Sequence, residues 1–365
     1  MKNSASRIGL IILMIVLGVQ VFACRYTVRE IGFSTLSRDI YTLVIIDADM
    51  KSDDSYWMNV RKRLNDSNIN LLVLDTIADH QHPIIKKYKE RADALPAKWL
   101  IAPDGRELDV SDYALEEALD FILDSQARMR MKEEFPHVFS VILMLEGKDQ
   151  EDNRRVSTAI DQASEQIENI MPHMPKQVRQ GPITVSLSAD EQLCESVLLW
   201  SLGLDHLPDT AMVFVIYGRG RIMGDRLSED DILSGRLYEH LAMIGADCEC
   251  GLDRKWMLGR QIPLLWNAEN RKRLLNEVGF DVDNPMILAE MTRILAKENN
   301  QEMDGELSFG PEEIDLNKTF FNTQEKEGTE TDKEVNRHWP WWIAVVLLIG
   351  IIISGFEIAR RNRKS

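Results

Sequence analysis

The chain has 365 residues, with 59 acidic against 43 basic side chains, a formal net charge of −16, 44% hydrophobic residues and four cysteines. Such a length and apolar content suit two domains of ordinary size and exclude a fibrous or wholly disordered chain. Four cysteines are too few for a disulfide-built scaffold, and the acidic balance lacks the basic face that nucleic acid demands.

Residues 1–23 carry Lys2 and Arg7 and then run apolar from Ile8 to Ala23. A run this short after a basic start fits a signal-peptide core better than a full membrane span. Ala23, with Val21 two positions earlier, suits cleavage before Cys24. Val21-Phe22-Ala23-Cys24 is also an imperfect lipobox, which makes Cys24 a candidate for lipidation. An uncleaved N-terminal anchor is the third reading.

Residues 24–130 are expected to form a first module. Tyr41 to Asp47 and Ile69 to Asp75 are short apolar runs that predict buried strands. Between them Tyr56, Trp57, Val60 and Leu64 recur at helical spacing, so the pair should be parallel with a helical crossover. A short helix is expected around 84–91. Then Leu95-Pro96 leads into a strand, the turn Pro103-Asp104-Gly105 and a second strand, which together predict a hairpin. Leu115, Ala118, Leu119 and Ile122 place one apolar face on a closing helix.

This β-α-β-α-β-β-α order, with a proline just before the hairpin, resembles the thioredoxin-like fold over residues 38–128. The resemblance implies that Pro96 is the family's cis-proline. It also implies a C-x-x-C redox pair after the first strand, and there this chain departs. Residues 47–54 read Asp-Ala-Asp-Met-Lys-Ser-Asp-Asp, with no cysteine and so no thiolate for disulfide exchange.

Residues 131–300 repeat the order with longer parts. Strands are expected at 138–145 and 183–187. A helix between them carries Val156, Ala159, Ile160, Ala163 and Ile167, and a later one carries Leu193, Val197, Leu198 and Trp200. Leu207-Pro208 precedes a strand at 212–217, a Gly218-Arg219-Gly220-Arg221 turn, a short strand, and a helix over 228–244. The reading is therefore an α/β protein of two tandem thioredoxin-like modules, the arrangement that protein disulfide isomerases use, followed by further helices. Those helices are expected at 268–278, stopped by Gly279, and at 285–295 with Asn284 as cap. Trp256 and Trp266 should fasten them to the second module.

Few stretches carry candidate chemistry. Gly218 to Gly224 lacks the spacing of a phosphate-cradling G-x-G-x-x-G loop and reads as a hairpin turn, with Arg219 and Arg221 expected to point outward as charged contacts. Cys248 and Cys250, in a C-x-C pair, admit three readings. They are a structural disulfide (local, or one cysteine bridging to Cys194), a redox pair, or half of a metal set completed by His240 or Cys194. His80 and His82, near Asp75 and Asp79, are a weaker metal candidate than a solvated loop. No cofactor motif, nucleophile elbow or metalloprotease helix is present. Neither a catalytic residue nor a cofactor is expected outside the Cys248/Cys250 alternative.

Residues 301–338 read as an acidic stalk, with eleven acids and four bases between 301 and 337. Residues 339–359 read as one transmembrane helix, uncharged from Trp339 to Phe356 and flanked by Trp339, Trp341 and Trp342. Arg360, Arg361, Arg363 and Lys364 in the tail 360–365 belong on the cytoplasmic side by the positive-inside rule. The expectation is a single-pass membrane protein with its body exported. It would act as a non-catalytic interaction module, partnered by another membrane or exported protein and possessing no nucleic-acid function. The alternative is a thiol-disulfide oxidoreductase working through Cys248 and Cys250.

Overall fold

The computed structural model describes residues 26–48, 54–88, 95–174, 176–246 and 258–296. Cys24, Cys248, Cys250, Trp256, the stalk, the span at 339–359 and the basic tail lie outside these residues. Among the described residues no helix is long and apolar enough to cross a membrane.

Two four-stranded mixed sheets follow one another along the chain, consistent with tandem thioredoxin-like domains. In the first, β1 (Tyr41–Asp47) pairs in parallel with β2 (Ile69–Asp75), in register from Tyr41 opposite Ile69 to Asp47 opposite Asp75. Helix α2 (Asp54–Leu64) makes the crossover, and α3 (Pro83–Tyr88) follows β2. On the other side of β1 runs β3 (Ala97–Ile101), antiparallel, with β4 (Glu107–Asp109) beyond it, and α4 (Leu115–Leu123) closes the unit. The second sheet has the same order. β5 (Val141–Leu145) lies between parallel β6 (Ile183–Leu187) and antiparallel β7 (Met212–Tyr217), with the two-residue β8 (Arg221–Ile222) at the edge. Helices α5 (Gln126–Glu134) and α6 (Gln150–Ile170) flank β5 in the chain.

Two long helices expected from periodicity are broken. The one through Leu193 and Trp200 divides into α7 (Ala189–Leu193) and α8 (Ser196–Ser201), leaving Leu193 exposed. The one over 228–244 divides into α9 (Glu229–Leu233) and α10 (Arg236–Ile244). Gly235 separates them at φ 91°, a left-handed conformation that interrupts the helix and that glycine adopts without a Cβ clash. Beyond them, α11 (Ala268–Val278) starts at the Asn267 cap and stops at left-handed Gly279, and in α12 (Pro285–Ala296) the Met286 N–H donates to Asn284 Oδ1.

Alternation along the strands decides which residues meet. On one face of the second sheet, Ile142, Met144, Val213 and Val215 pack on Val156 and Ile160 of α6 and Leu237 and Leu241 of α10. On the other, Val141, Leu143, Leu145, Phe214 and Ile216 meet Leu198, Phe135, Trp266 and Leu274. In the first sheet Tyr41, Leu43 and Ile45 face Val60, Leu64, Leu119 and Ile122, and the same cluster takes in Val197 and Trp200 from α8. Each such fully buried aliphatic side chain contributes about 1.5–3 kcal/mol.

Residues 26–37, which precede the first sheet in the chain, pack into the second. Helix α1 (Val28–Gly32) begins with a Thr27/Glu30 capping box, and Val28 and Ile31 enter the core under the second sheet. Val28 N–H donates to Ala246 O, and Arg219 N–H to Gly32 O. The Arg29 guanidinium donates to the carbonyls of Phe135, Pro136 and Val138.

Candidate functional site

The Leu95–Pro96 peptide is the one cis bond among the described residues. Register sets it beside the C-terminal end of β1, because Ile46 pairs with Ala97. Pro208, before the third strand of the second sheet, follows a trans peptide and lies four positions ahead of its strand rather than one. Cys194 caps α7 on the surface as a free thiol, while Cys248 and Cys250 lie outside the described residues. His240 is buried on α10, and burial, helped by Arg236, holds its pKa below the ordinary value.

The Asp75–His82 loop is occupied by its own turn. Asp75 Oδ1 accepts the N–H groups of Ile77 and Ala78 at 2.7 and 2.9 Å, Asp79 Oδ2 accepts Asp75 N–H, and His82 Nδ1 accepts Ile84 N–H. Among the described residues no group of three potential ligands converges on a metal position.

Arg219 and Arg221 overturn their sequence expectation. Gly218 and Gly220 do make a hairpin turn, at φ 57° and 72°, but both arginines are buried, Arg221 completely. Its guanidinium donates to five carbonyls: Gly32, Ser34, Leu36, Ser37 and Gly259. Long-range partners decide the direction here. The donors find acceptors in a segment nearly two hundred residues earlier, and a buried guanidinium fully supplied with acceptors is stable where an unpaired one is not.

The two sheets are joined through polar contacts. Arg106 donates to the carbonyls of Trp200 and Ser201 and lies over the Trp200 ring at 5.5 Å. Asn68 Nδ2 donates to Ile262 O and its Oδ1 accepts Leu264 N–H, while Trp266 N–H reaches Asp66 O. Arg128, buried, donates to Phe121, Ile122 and Pro263 carbonyls.

At this junction lies a cavity of about 110 Å³, lined by Thr35, Arg38, Asn65 to Asn68, Arg219, Gln261, Leu264, Trp266, Arg271 and Asp283. Three guanidinium groups converge on it. Arg38 Nη2 donates to Ser67 O, Arg219 pairs with Asp283 and stacks on Trp266, and Arg271 pairs with Asp66 at 3.0 Å. Burial, with Arg219 adding repulsion, pushes the Arg38 pKa down; burial does the same to Arg219, with Asp283 opposing it. Five buried atoms of this lining have no hydrogen-bond partner in the protein: the donors Arg38 Nε, Arg219 Nε and Trp266 Nε1, and the acceptors Gln261 Oε1 and Asp283 Oδ1. Sequence reasoning missed this site because its parts come from four separated segments.

A second cavity of similar volume, between Arg29, Glu30, Lys176, Arg179 and Glu277, holds the pairs Lys176–Glu30 at 3.3 Å and Arg179–Glu277 at 3.5 Å, with Arg29 donating to main-chain carbonyls.

No family model matches this chain, and no curated protein does. Among solved structures it is similar to the first two thioredoxin domains of Naumovozyma dairenensis Eps1p, at 14% identity over 57% of this chain and 91% of that one, with a TM-score of 0.18. The zinc-bound form of human ERp44 matches at 11% identity over 68% of this chain and 64% of that one, TM-score 0.18. The first two thioredoxin domains of Saccharomyces cerevisiae Eps1p match at 9% identity over 55% and 87%, TM-score 0.18.

Proposed function

We propose that this chain is a non-catalytic, exported binding protein whose two thioredoxin-like modules present surfaces to another membrane or exported protein, with residues 339–359 anchoring it and residues 360–365 on the cytoplasmic side. The observation that carries the reading is the stretch after β1. It runs from Asp47 to Asp54 with no cysteine, so the strand order resembles the thioredoxin-like one while the sequence lacks a thiolate at that family's redox position. The Trp339-rich uncharged run and the basic tail beyond it support the anchor.

An insulin-reduction assay on the purified full-length chain tests the non-catalytic reading, and no reduction is expected. Reduction that disappears in Cys248→Ser and Cys250→Ser would replace the binding reading with the oxidoreductase alternative. Protease added to the outside of sealed cells tests the topology. Cleavage within 301–337 and release of the body are expected, and a fully protected body would remove the anchor from the proposal.

A further inference from the structure

We propose that the cavity between Arg38, Arg219, Gln261, Trp266, Arg271 and Asp283 is a binding site for a small oxyanion that also carries a proton, hydrogen phosphate being the simplest. The lining sets this chemistry in three ways. Arg38 Nε, Arg219 Nε and Trp266 Nε1 are donors without acceptors, which call for anionic oxygens. Gln261 Oε1 and Asp283 Oδ1 are acceptors without donors, which call for an O–H on the same ligand. A simple carboxylate or sulfate offers only the first, whereas hydrogen phosphate offers both.

Charge separates an anion from water. Water can serve every one of these five atoms, but it leaves three guanidinium groups facing two carboxylates, Asp66 and Asp283. Behind this lining Asp39 and Arg221 offset one another, and Asp281 adds a further acid near Arg219. The lining itself carries one more cation than acids in a protein with a net charge of −16, at a buried junction where an anion is held more strongly than at the surface. A cavity of about 110 Å³ has several times the room one water needs, and Arg271 and Asp66, at 41% and 36% side-chain exposure, form an open rim through which an ion can enter. Occupation would tie the first sheet to the second through one ion, and it does not depend on how the chain is held at a membrane.

The test is a calorimetric titration of the full-length chain with inorganic phosphate at constant ionic strength, with sulfate and a phosphate monoester in parallel. One phosphate per chain is expected, with weaker sulfate binding. Binding of the monoester as well as phosphate would extend the site to phosphorylated small molecules, and phosphate alone would assign it to the free ion. Arg271→Gln, on the exposed rim, should leave the fold intact and weaken phosphate about tenfold, the worth of one charge-assisted hydrogen bond. Arg38→Gln should weaken it at least as much. Asp283→Asn, which removes a negative charge and can put a donor where the ligand's proton sits, should raise sulfate affinity and narrow the preference for phosphate. No saturable phosphate binding in the folded wild type would overturn the site, as would affinities unchanged across Arg271→Gln and Asp283→Asn. Sulfate bound as tightly as phosphate would overturn the assignment to a protonated oxyanion.

Discussion

The two sheets share a strand order and differ in what covers them. The second is filled on both faces by large buried clusters, and every residue of β5 is buried. Among the described residues the first has one large cluster, around Leu43 and Ile45, with Val44, Ile46, Ile84, Ile85, Tyr88 and Trp99 also buried, and its edge strand β2 is only partly covered from Asn70 to Val73. The second sheet also recruits elements from outside its own run of chain: α1 before it, and the 258–266 segment with α11 and α12 after it. The first recruits α8 of its neighbour. One module thus serves as the platform, and the other is built onto it. Equal topology leaves room for unequal covering, and the second sheet takes more of its cover from distant parts of the chain.

The largest test of that difference is Arg221→Met. It takes the guanidinium away from the carbonyls of Ser34, Leu36, Ser37 and Gly259, while Gly32 O keeps the Arg219 N–H, and the loss of each buried partner costs about 1–3 kcal/mol where water cannot replace it. We expect a destabilisation of about 4 kcal/mol in urea unfolding, and a change below about 1 kcal/mol would deny the platform its keystone. Next come matched truncations. Leu143→Ala and Leu43→Ala, both fully buried, should each cost about 2–5 kcal/mol. Hydrogen exchange should show Leu143→Ala loosening both sheets and Leu43→Ala loosening the first alone. Equal spread of both effects would erase the distinction.

A smaller effect comes with acid. The folded chain holds His240 below its ordinary value of 6.5, so the unfolded chain takes up the proton first as pH falls. Stability should therefore decline as pH drops through 6.5, and His240→Gln should remove that part of the slope. If the variant keeps the wild-type slope, the second module's acid sensitivity lies elsewhere. Smallest of all, Arg63 joins α2 to α4 through Glu116 and Asp120, both largely exposed. Arg63→Ala should cost the first module about 0.5 kcal/mol or less.

Much of this fold was legible in the chain. The strands are short apolar runs, and the Asn267 and Gly279 stops carry their own local chemistry. Pro103-Asp104-Gly105 announced its turn, with Ala102 N–H and Gly105 N–H bonded across it. What local patterns could not supply were the breaks and the directions. Gly235 lay inside a convincing apolar period, which hides a break of one residue. Arg219 and Arg221 sat on a turn in an acidic protein, where exposure is the ordinary outcome, and only their distant acceptors reversed it. The Thr27-x-x-Glu30 capping signature stood in the sequence as the one available sign that residues 26–37 hold a helix. The junction cavity had no such sign, since residues 35–38, 65–68, 219 and 261–283 meet only after folding.

The seating of α1 also bears on the order in which the chain can be finished. Residues 26–34 leave a ribosome or a translocation pore before anything else described here, yet their partners at Tyr217 to Arg221 and Ala246 arrive some two hundred residues later. The first sheet, from 41 to 109, is complete in the interval. The leading segment must therefore wait, exposed, while a whole module forms behind it, and its apolar Val28 and Ile31 are an obvious place for a chaperone to hold during that wait.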